Sequence, residues 1–487
     1  MLRILILTAA LTLACAVQAK DTVVIGMVLE PPGLDPTAGA AAAIGEITLD
    51  NIFEGLTKIE GDGSVTPLLA KSWDISADLK TYTFALVDGA RFHDGEAFSS
   101  ADVKFSFERA AAAESTNKDK PFFAGLKVDA PDATHVALTL KEPNPDLLFR
   151  LGFPTAVVVS PKSAASNATK PVGTGPFQMS AWAKGSSVTL TKWDGYRAAG
   201  KIALKGVTFR IVNDPAAQVA ALLAGDIDAF PRFGAFQAIG QFENDPRFTV
   251  TKGGTEGKTI LAINNRKKPF DDLRVRRAVA YAIDRKAIVD GAQSGLGTPI
   301  GSHYVPIDPG YVDLTGVYPT DVEKAKALLK EAGVATPLHV TLTLPPPAYA
   351  RQGGEIIASQ LAKIGIDAKI ENVEWAQWLS GVYKARQFDL TVISHVEPMD
   401  LSNYANPDYY FGYDSAAFRD VMAKVASAPD PAARLAALGD AQKMLTADAV
   451  NAYLFQLAQV TVAAKGLKGL WTDSPVFAND MGAVRWE

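Results

Sequence analysis

The sequence predicts an α/β protein of two lobes with an additional β-rich subdomain. Three observations carry that expectation. Strand and helix patterns alternate over residues 338–394, strand patterns dominate from about 60 to 170, and a second α/β unit begins near residue 22. A chain of 487 residues exceeds one compact core, and no low-complexity linker separates its parts.

The first element is a leader. Arg3 precedes an apolar run from Ile4 to Ala16, and Val17-Gln18-Ala19 stands before Lys20, the composition of a secretory signal peptide over residues 1–19. The run is shorter than the roughly 20 residues of a membrane span. Cys15 is the sole cysteine, read as an apolar residue of the discarded leader, with lipid attachment as the alternative. Cleavage after Ala19 leaves no thiol, which excludes disulfides, thiol catalysis and cysteine metal sites.

Thr22 to Val28 reads as a buried strand followed by Leu29-Glu30-Pro31-Pro32. Tyr82, Phe84 and Leu86, then Val136, Leu138 and Leu140, then Val207, Phe209 and Ile211 alternate with polar residues as half-buried strands do. Strands are expected over 338–344, 366–373 and 388–394, with helices over 353–364 and 375–386 between them. That order predicts parallel strands joined by right-handed crossovers. Ligands bind beyond the carboxyl ends of such strands. The loops there include Tyr349, Trp375, Ser394, His395 and Glu397, with Glu30 on the other unit. One lobe is expected over 20–55, 172–262 and 463–487, the subdomain over 56–171 and the second lobe over 263–462.

Enzyme and nucleic-acid patterns are missing. Net charge is −5 without a basic block, which argues against a nucleic-acid partner. Gly253-Gly254-Thr255-Glu256-Gly257-Lys258-Thr259 resembles a phosphate loop, but its glycines are one residue too close. Gly291 to Gly295 displaces the serine of a nucleophile elbow by one. Five histidines show no metal-ligand spacing, and Asp271-Asp272 reads as a helix cap. No catalytic residue and no cofactor is expected.

Residues 67–109 contain Pro67-Leu68-Leu69-Ala70-Lys71-Ser72-Trp73, Phe92-His93-Asp94-Gly95-Glu96 and Ala101-Asp102-Val103-Lys104-Phe105. Val172-Gly173-Thr174-Gly175-Pro176-Phe177 and Ile263-Asn264-Asn265-Arg266, continuing to Ala282-Ile283-Asp284-Arg285, follow in collinear order. Together they resemble the bacterial extracellular solute-binding protein family 5, which includes dipeptide-, oligopeptide- and nickel-binding proteins of ABC importers. Gly173 and Gly175 are expected to supply turn dihedrals. Leu273, Ala278 and Ile283 are expected to face a core, leaving the intervening arginines to solvent.

The resemblance implies a two-lobed periplasmic binding protein of the class II type, monomeric, closing on a small-molecule ligand and docking on separate membrane permease subunits. It places Asn264 and Asn265 beside the cleft. Peptide-binding relatives carry an aspartate just before an acidic-Pro pair. Setting Glu397-Pro398 on that pair puts Ser394 or His395 there, with Asp400 a substitute. Glu30, Glu397 and Asp400 would make the cleft acidic, and Trp375, Trp378, Tyr404, Tyr409 and Tyr410 could stack on a ring. The expected ligand is peptide-like, opine-like or an oligosaccharide. A nickel or metallophore receptor using His395 is the alternative, and a periplasmic hydrolase a further one.

Overall fold

The protein is described by a computed structural model covering residues 20–487 apart from residues 40 and 429. The leader and Cys15 lie outside the described residues. Among the described residues, no helix is long and apolar enough to cross a membrane.

The first strand, β1 (Thr22–Met27), buries Val23, Ile25 and Met27. A separate four-stranded antiparallel sheet follows, built from β2 (Ala70–Ile75), β3 (Thr81–Leu86), β4 (Leu126–Asp132) and β5 (His135–Leu140) in the order β2-β3-β5-β4. Tyr82, Phe84 and Leu86 of β3 and Val136 and Leu138 of β5 share its core with Phe92, Val103 and Phe107. Period-two alternation buries one face there, and helix α1 (Ser100–Ala111) covers it, capped reciprocally by Ser99 and Asp102.

The main sheet takes β6 (Phe177–Ala183), β7 (Ser187–Lys192), β8 (Gly206–Ile211), β9 (Ala229–Phe230) and the 16-residue β10 (Phe248–Ile263). It continues with β11 (Leu338–Leu344), β12 (Ile366–Asn372), β13 (Leu390–His395) and β14 (Ala452–Ala464). The order is β12-β11-β13-β10-β14-β9-β1-β8-β7-β6. Strands β11, β12 and β13 run parallel to one another, as the β-α-β-α-β pattern predicts. The sheet as a whole is mixed, because β10 pairs antiparallel with both β13 and β14.

The two lobes meet in β10 and β14. Val250 and Phe248 at one end of β10 pack with the first lobe's core, and Leu261 and Ile263 at the other end belong to the second. Strand β14 crosses likewise, from Leu454 and Phe455 to Val460 and Val462. Between them the ladder breaks from Gly254 to Lys258, so residues 255–257 form a bulge. Gly254 allows the Gln456 side chain to lie close, since a Cβ would meet its Nε2 at 2.3 Å. The failed phosphate loop is this strand bulge.

Three local expectations change. Neither Gly173 nor Gly175 has a left-handed φ. Each is glycine because the backbone of residues 51 and 52 comes close, a Cβ at 173 falling 2.0 Å from Ile52 O and one at 175 falling 2.4 Å from Asn51 O. Arg276, in helix α2 (Leu273–Ala282), is buried instead of solvated, and its guanidinium donates to the carbonyls of Phe270, Asp448 and Ala449. The predicted helix over 375–386 is a short α-turn, Trp375–Gln377, followed by a π-helical stretch, Trp378–Lys384.

Candidate functional site

The bulge of β10 forms part of the wall of a cavity of about 670 Å³ that both lobes and the subdomain line. That size is ordinary for a small-molecule site. Its lining brings together three stretches distant in sequence: Pro36, Ile44, Arg232, Phe233 and Phe477 with the residues around β1 and β9, Lys118, Arg150 and Phe153 beside the four-stranded sheet, and Val396, Glu397 and Pro398 after β13. Thr255, Glu256 and Gly257 of β10 and Leu457 to Val460 of β14 complete the wall. The cavity lies beyond the carboxyl ends of β9 and β13, where ligands bind in sheets with crossovers.

Charges are distributed unevenly around it. Lys118 and Arg150 make no ion pair among the described residues, and Arg150 sits 5.3 Å from the centroid of the Phe122 ring. Asp119 beside them accepts a hydrogen bond from the Thr155 hydroxyl at 2.5 Å. Arg232 donates to Ser474 Oγ at 2.8 Å and approaches Glu46 at 3.6 Å. The second lobe presents Glu397, which is exposed and accepts a hydrogen bond from the Val396 backbone at 3.2 Å.

Of the residues expected at the cleft from sequence, Glu397 lines the cavity. Glu30 turns toward the β6–β7 hairpin, accepting from Trp182 Nε1 at 3.2 Å and from Gly185 N at 2.8 Å. Asn264 and Asn265 hold backbone, the first donating to Arg386 O and Phe388 O, the second to Ile263 O and Val450 O. Tyr349 accepts at its hydroxyl from Ser394 N, and Trp378 is buried with its Nε1 donating to Thr391. Trp375 is 42% exposed, outside the cavity lining. Tyr404 is buried between His303 and Asn451, and Tyr409 and Tyr410 pack with Tyr383 and Phe411.

Behind the Glu397 loop lies a buried polar network. Lys258 is fully buried, donates to Glu397 O at 2.7 Å and lies 3.4 Å from Asp400 Oδ1. Burial works against its charge, but Asp400, Asp308 and Glu256 outweigh that and raise its pKa. Burial also opposes the Asp400 carboxylate, yet His303 and Lys258 hold it well below the usual range. His395 is lowered to about 3, by burial first and then by the neighbouring His303. Asp400 is therefore spent on Lys258 and His303, and it cannot serve as an acidic cleft residue.

His303, His395 and Asp400 bring their donor atoms within 4.8 Å of one another, the one such group among the described residues. They do not fit a divalent cation. Nε2 of His303 is 3.1 Å from Asp400, its Nδ1 is 3.0 Å from the Tyr404 hydroxyl, and Nε2 of His395 is 2.9 Å from the Tyr410 hydroxyl. The Lys258 ammonium already neutralises the carboxylate and would repel a metal.

Sequence reasoning missed Glu256, Arg232, Lys118 and Arg150. The one available signal was Gly253, Gly254 and Gly257 inside a strand, which marks a bulge where another group comes close.

Comparison with known proteins agrees with this architecture. The family model "Bacterial extracellular solute-binding proteins, family 5 Middle" matches residues 64–416. The chain is 31% identical over 381 residues to the glutathione-binding protein GsiB of Pectobacterium atrosepticum, covering 76% of this chain and 72% of that one. It is 30% identical to the dipeptide-binding protein of Escherichia coli K12, over 78% and 76% of the two chains. Among solved structures, the PBP AgaA in complex with agropinic acid, from A. tumefaciens R10, is 29% identical with a TM-score of 0.78, over 96% and 99% of the chains. These relatives are binding proteins, and the present chain, a two-lobed α/β molecule with a β-rich subdomain, belongs to the bacterial extracellular solute-binding protein family 5.

Proposed function

We propose that the chain is the exported receptor of an ABC importer, a non-catalytic monomer that captures a small peptide-like or opine-like solute between its lobes and delivers it to the permease. The carrying observation is the cavity of about 670 Å³ at the crossing of β10 and β14, with walls from both lobes. Lobe I is proposed to hold about 20–55, 172–262 and 463–487 with 56–171 as its subdomain, and lobe II about 263–462, with β10 and β14 running through both, so that Leu261 packs in the second core and Val460 and Val462 in the first. Removal of residues 1–19 on export releases the protein to the periplasm.

A ligand touching both walls favours the closed arrangement, and closure is the state that a permease can read. The two strands that cross the cavity are the natural axis of that motion. Lys118 and Arg150 suit a carboxylate on the ligand, while Glu397 suits a cationic or hydroxyl-bearing group. The relatives named for glutathione, dipeptides and agropinic acid support a ligand with both kinds of group. The nickel reading is not favoured, because the one candidate metal cluster among the described residues is internally satisfied.

Thermal unfolding with glutathione, Ala-Ala and agropinic acid tests this reading. A true ligand at a hundredfold excess over its Kd stabilises by about 2.7 kcal/mol. No shift with any of the three, together with no solute co-purifying by mass spectrometry, would overturn it.

A further inference from the structure

Three cations line the cavity, Lys118, Arg150 and Arg232, and they differ in how firmly they are held. Lys118 is exposed, and its ammonium has no ion pair among the described residues. The Arg150 guanidinium rests on the face of Phe122 and likewise has no ion pair among them. Arg232 is different. It follows the carboxyl end of β9, and its side chain is 21% exposed. Its Nη2 donates to Ser474 Oγ at 2.8 Å, its Nη1 lies 3.6 Å from Glu46 Oε2, and its Cζ is 5.3 Å from the centroid of the Phe477 ring.

Those supports are themselves fixed. Ser474 is buried, its backbone N donates to Gly254 O at 2.9 Å, and its Oγ donates to Val476 O at 3.1 Å. Glu46 belongs to the helix Ala42–Thr48. They do not exhaust the guanidinium, whose N–H donors form a planar fork. Ser474 takes one hydrogen bond, while Glu46 stands beyond hydrogen-bond length and only balances charge. Nε and Nη1 donate to no group among the described residues, and neither is sealed from solvent. Because Arg232 lines the cavity, these donors open onto it. Phe233 and Phe477 line the same stretch, and excluding water there strengthens a charge-assisted hydrogen bond.

Resting on the receptor reading above, we propose that Arg232 is a specificity-determining residue that binds a carboxylate of the solute and sets the solute's orientation. A guanidinium already held by a hydroxyl, a carboxylate and an aromatic face meets a ligand carboxylate with little ordering cost. Glu46 offsets part of its charge, so recognition comes from the direction of the free N–H groups more than from net charge. Lys118 and Arg150 attract an anion to the cavity but fix no direction for it, because no hydrogen bond or ion pair holds their side chains among the described residues.

Isothermal calorimetry tests the assignment. The probes are glutathione and Ala-Ala, each compared with derivatives in which one carboxyl at a time is an amide. The wild-type protein is expected to bind at least one free acid, and to bind one of its amides at least about tenfold more weakly. Arg232→Gln should weaken binding of the acid by a similar factor and leave that amide within about twofold, whereas a residue acting only through the fold would weaken both alike. Arg232→Lys keeps the charge without the planar fork and should fall with Arg232→Gln. Arg150→Gln should separate acid from amide less than Arg232→Gln does. Equal wild-type affinity for acid and amides, an Arg232→Gln variant that binds the acid as wild type does or loses acid and amide equally, or a larger acid-specific loss in Arg150→Gln would overturn the assignment and leave the receptor reading standing. If the wild-type protein binds neither free acid, the peptide-like ligand class falls, and the role of Arg232 falls with it. The wild-type comparison of acid with amide does not depend on how any variant folds.

Discussion

His395 is buried as a neutral imidazole, so acid should destabilise the protein in part through this ring. It ends β13 at 8% exposure, stacks on Tyr410 with centroids 6.0 Å apart, and its Nε2 is 2.9 Å from the Tyr410 hydroxyl. Burial and then His303 lower its pKa from 6.5 to about 3. In the unfolded chain it titrates near 6.5, so on acidification the unfolded state takes the proton first. The stability that the neutral ring contributes is fully present above the unfolded value and is lost as pH falls toward 3. Between pH 7 and pH 5 the loss amounts to about 1.5 pH units at 1.36 kcal/mol each, or about 2 kcal/mol. His395→Gln removes that linkage. Urea unfolding at both pH values should show wild type losing about 2 kcal/mol more than the variant on going to pH 5. His93, lowered to about 4 by burial, is common to both proteins and cancels in the difference. The variant should be less stable at pH 7, because the stacked ring is gone. Its solute affinity there should stay within about threefold of wild type, since His395 does not line the cavity. Equal losses for the two proteins would refute the burial argument.

Asn264→Ala should lower stability by about 1–3 kcal/mol in urea unfolding, because it leaves the carbonyls of Arg386 and Phe388 without their side-chain donor. Solute affinity measured by calorimetry should be unchanged, which separates this anchoring role from ligand contact. Gly173→Ala should cost about 3 kcal/mol or more, or prevent folding, as its Cβ would fall 2.0 Å from the backbone oxygen of Ile52. The unfolding midpoint, or the yield of soluble protein, reads that outcome.

Much of the fold is legible in local patterns. Alternation at Tyr82, Phe84 and Leu86 marks a strand with one buried face, and the same holds at Val136 and Leu138. The succession from Leu338 to His395 yields three parallel strands, because crossover connections leave little choice of direction. Asp272 and Asp284 announce helix starts, since each side chain accepts a hydrogen bond from an amide in the first turn. Glu397 is legible for a related reason, as it follows the carboxyl end of a strand on a short loop.

What remained hidden depends on partners distant in sequence. Lys258 and Asp400 are 142 positions apart, yet their pairing turns an expected cleft acid into a buried counter-ion. His303 and His395 meet through Asp400, so a histidine read as a possible metal ligand becomes part of a closed hydrogen-bonded cluster. Glycines 173 and 175 reflect the approach of residues 51 and 52, which no turn pattern reports. Glu256 looked like part of a failed phosphate loop until the antiparallel pairing of β10 with β14 placed it on a bulge in the cavity wall. Sequence by itself determined the α/β class, the strand-rich subdomain and the collinear motifs that resemble a solute-binding family, because periodicity and short motifs are local. The tertiary structure decided which charges face the cavity and which face each other, because that choice is made where distant segments pack and exclude water.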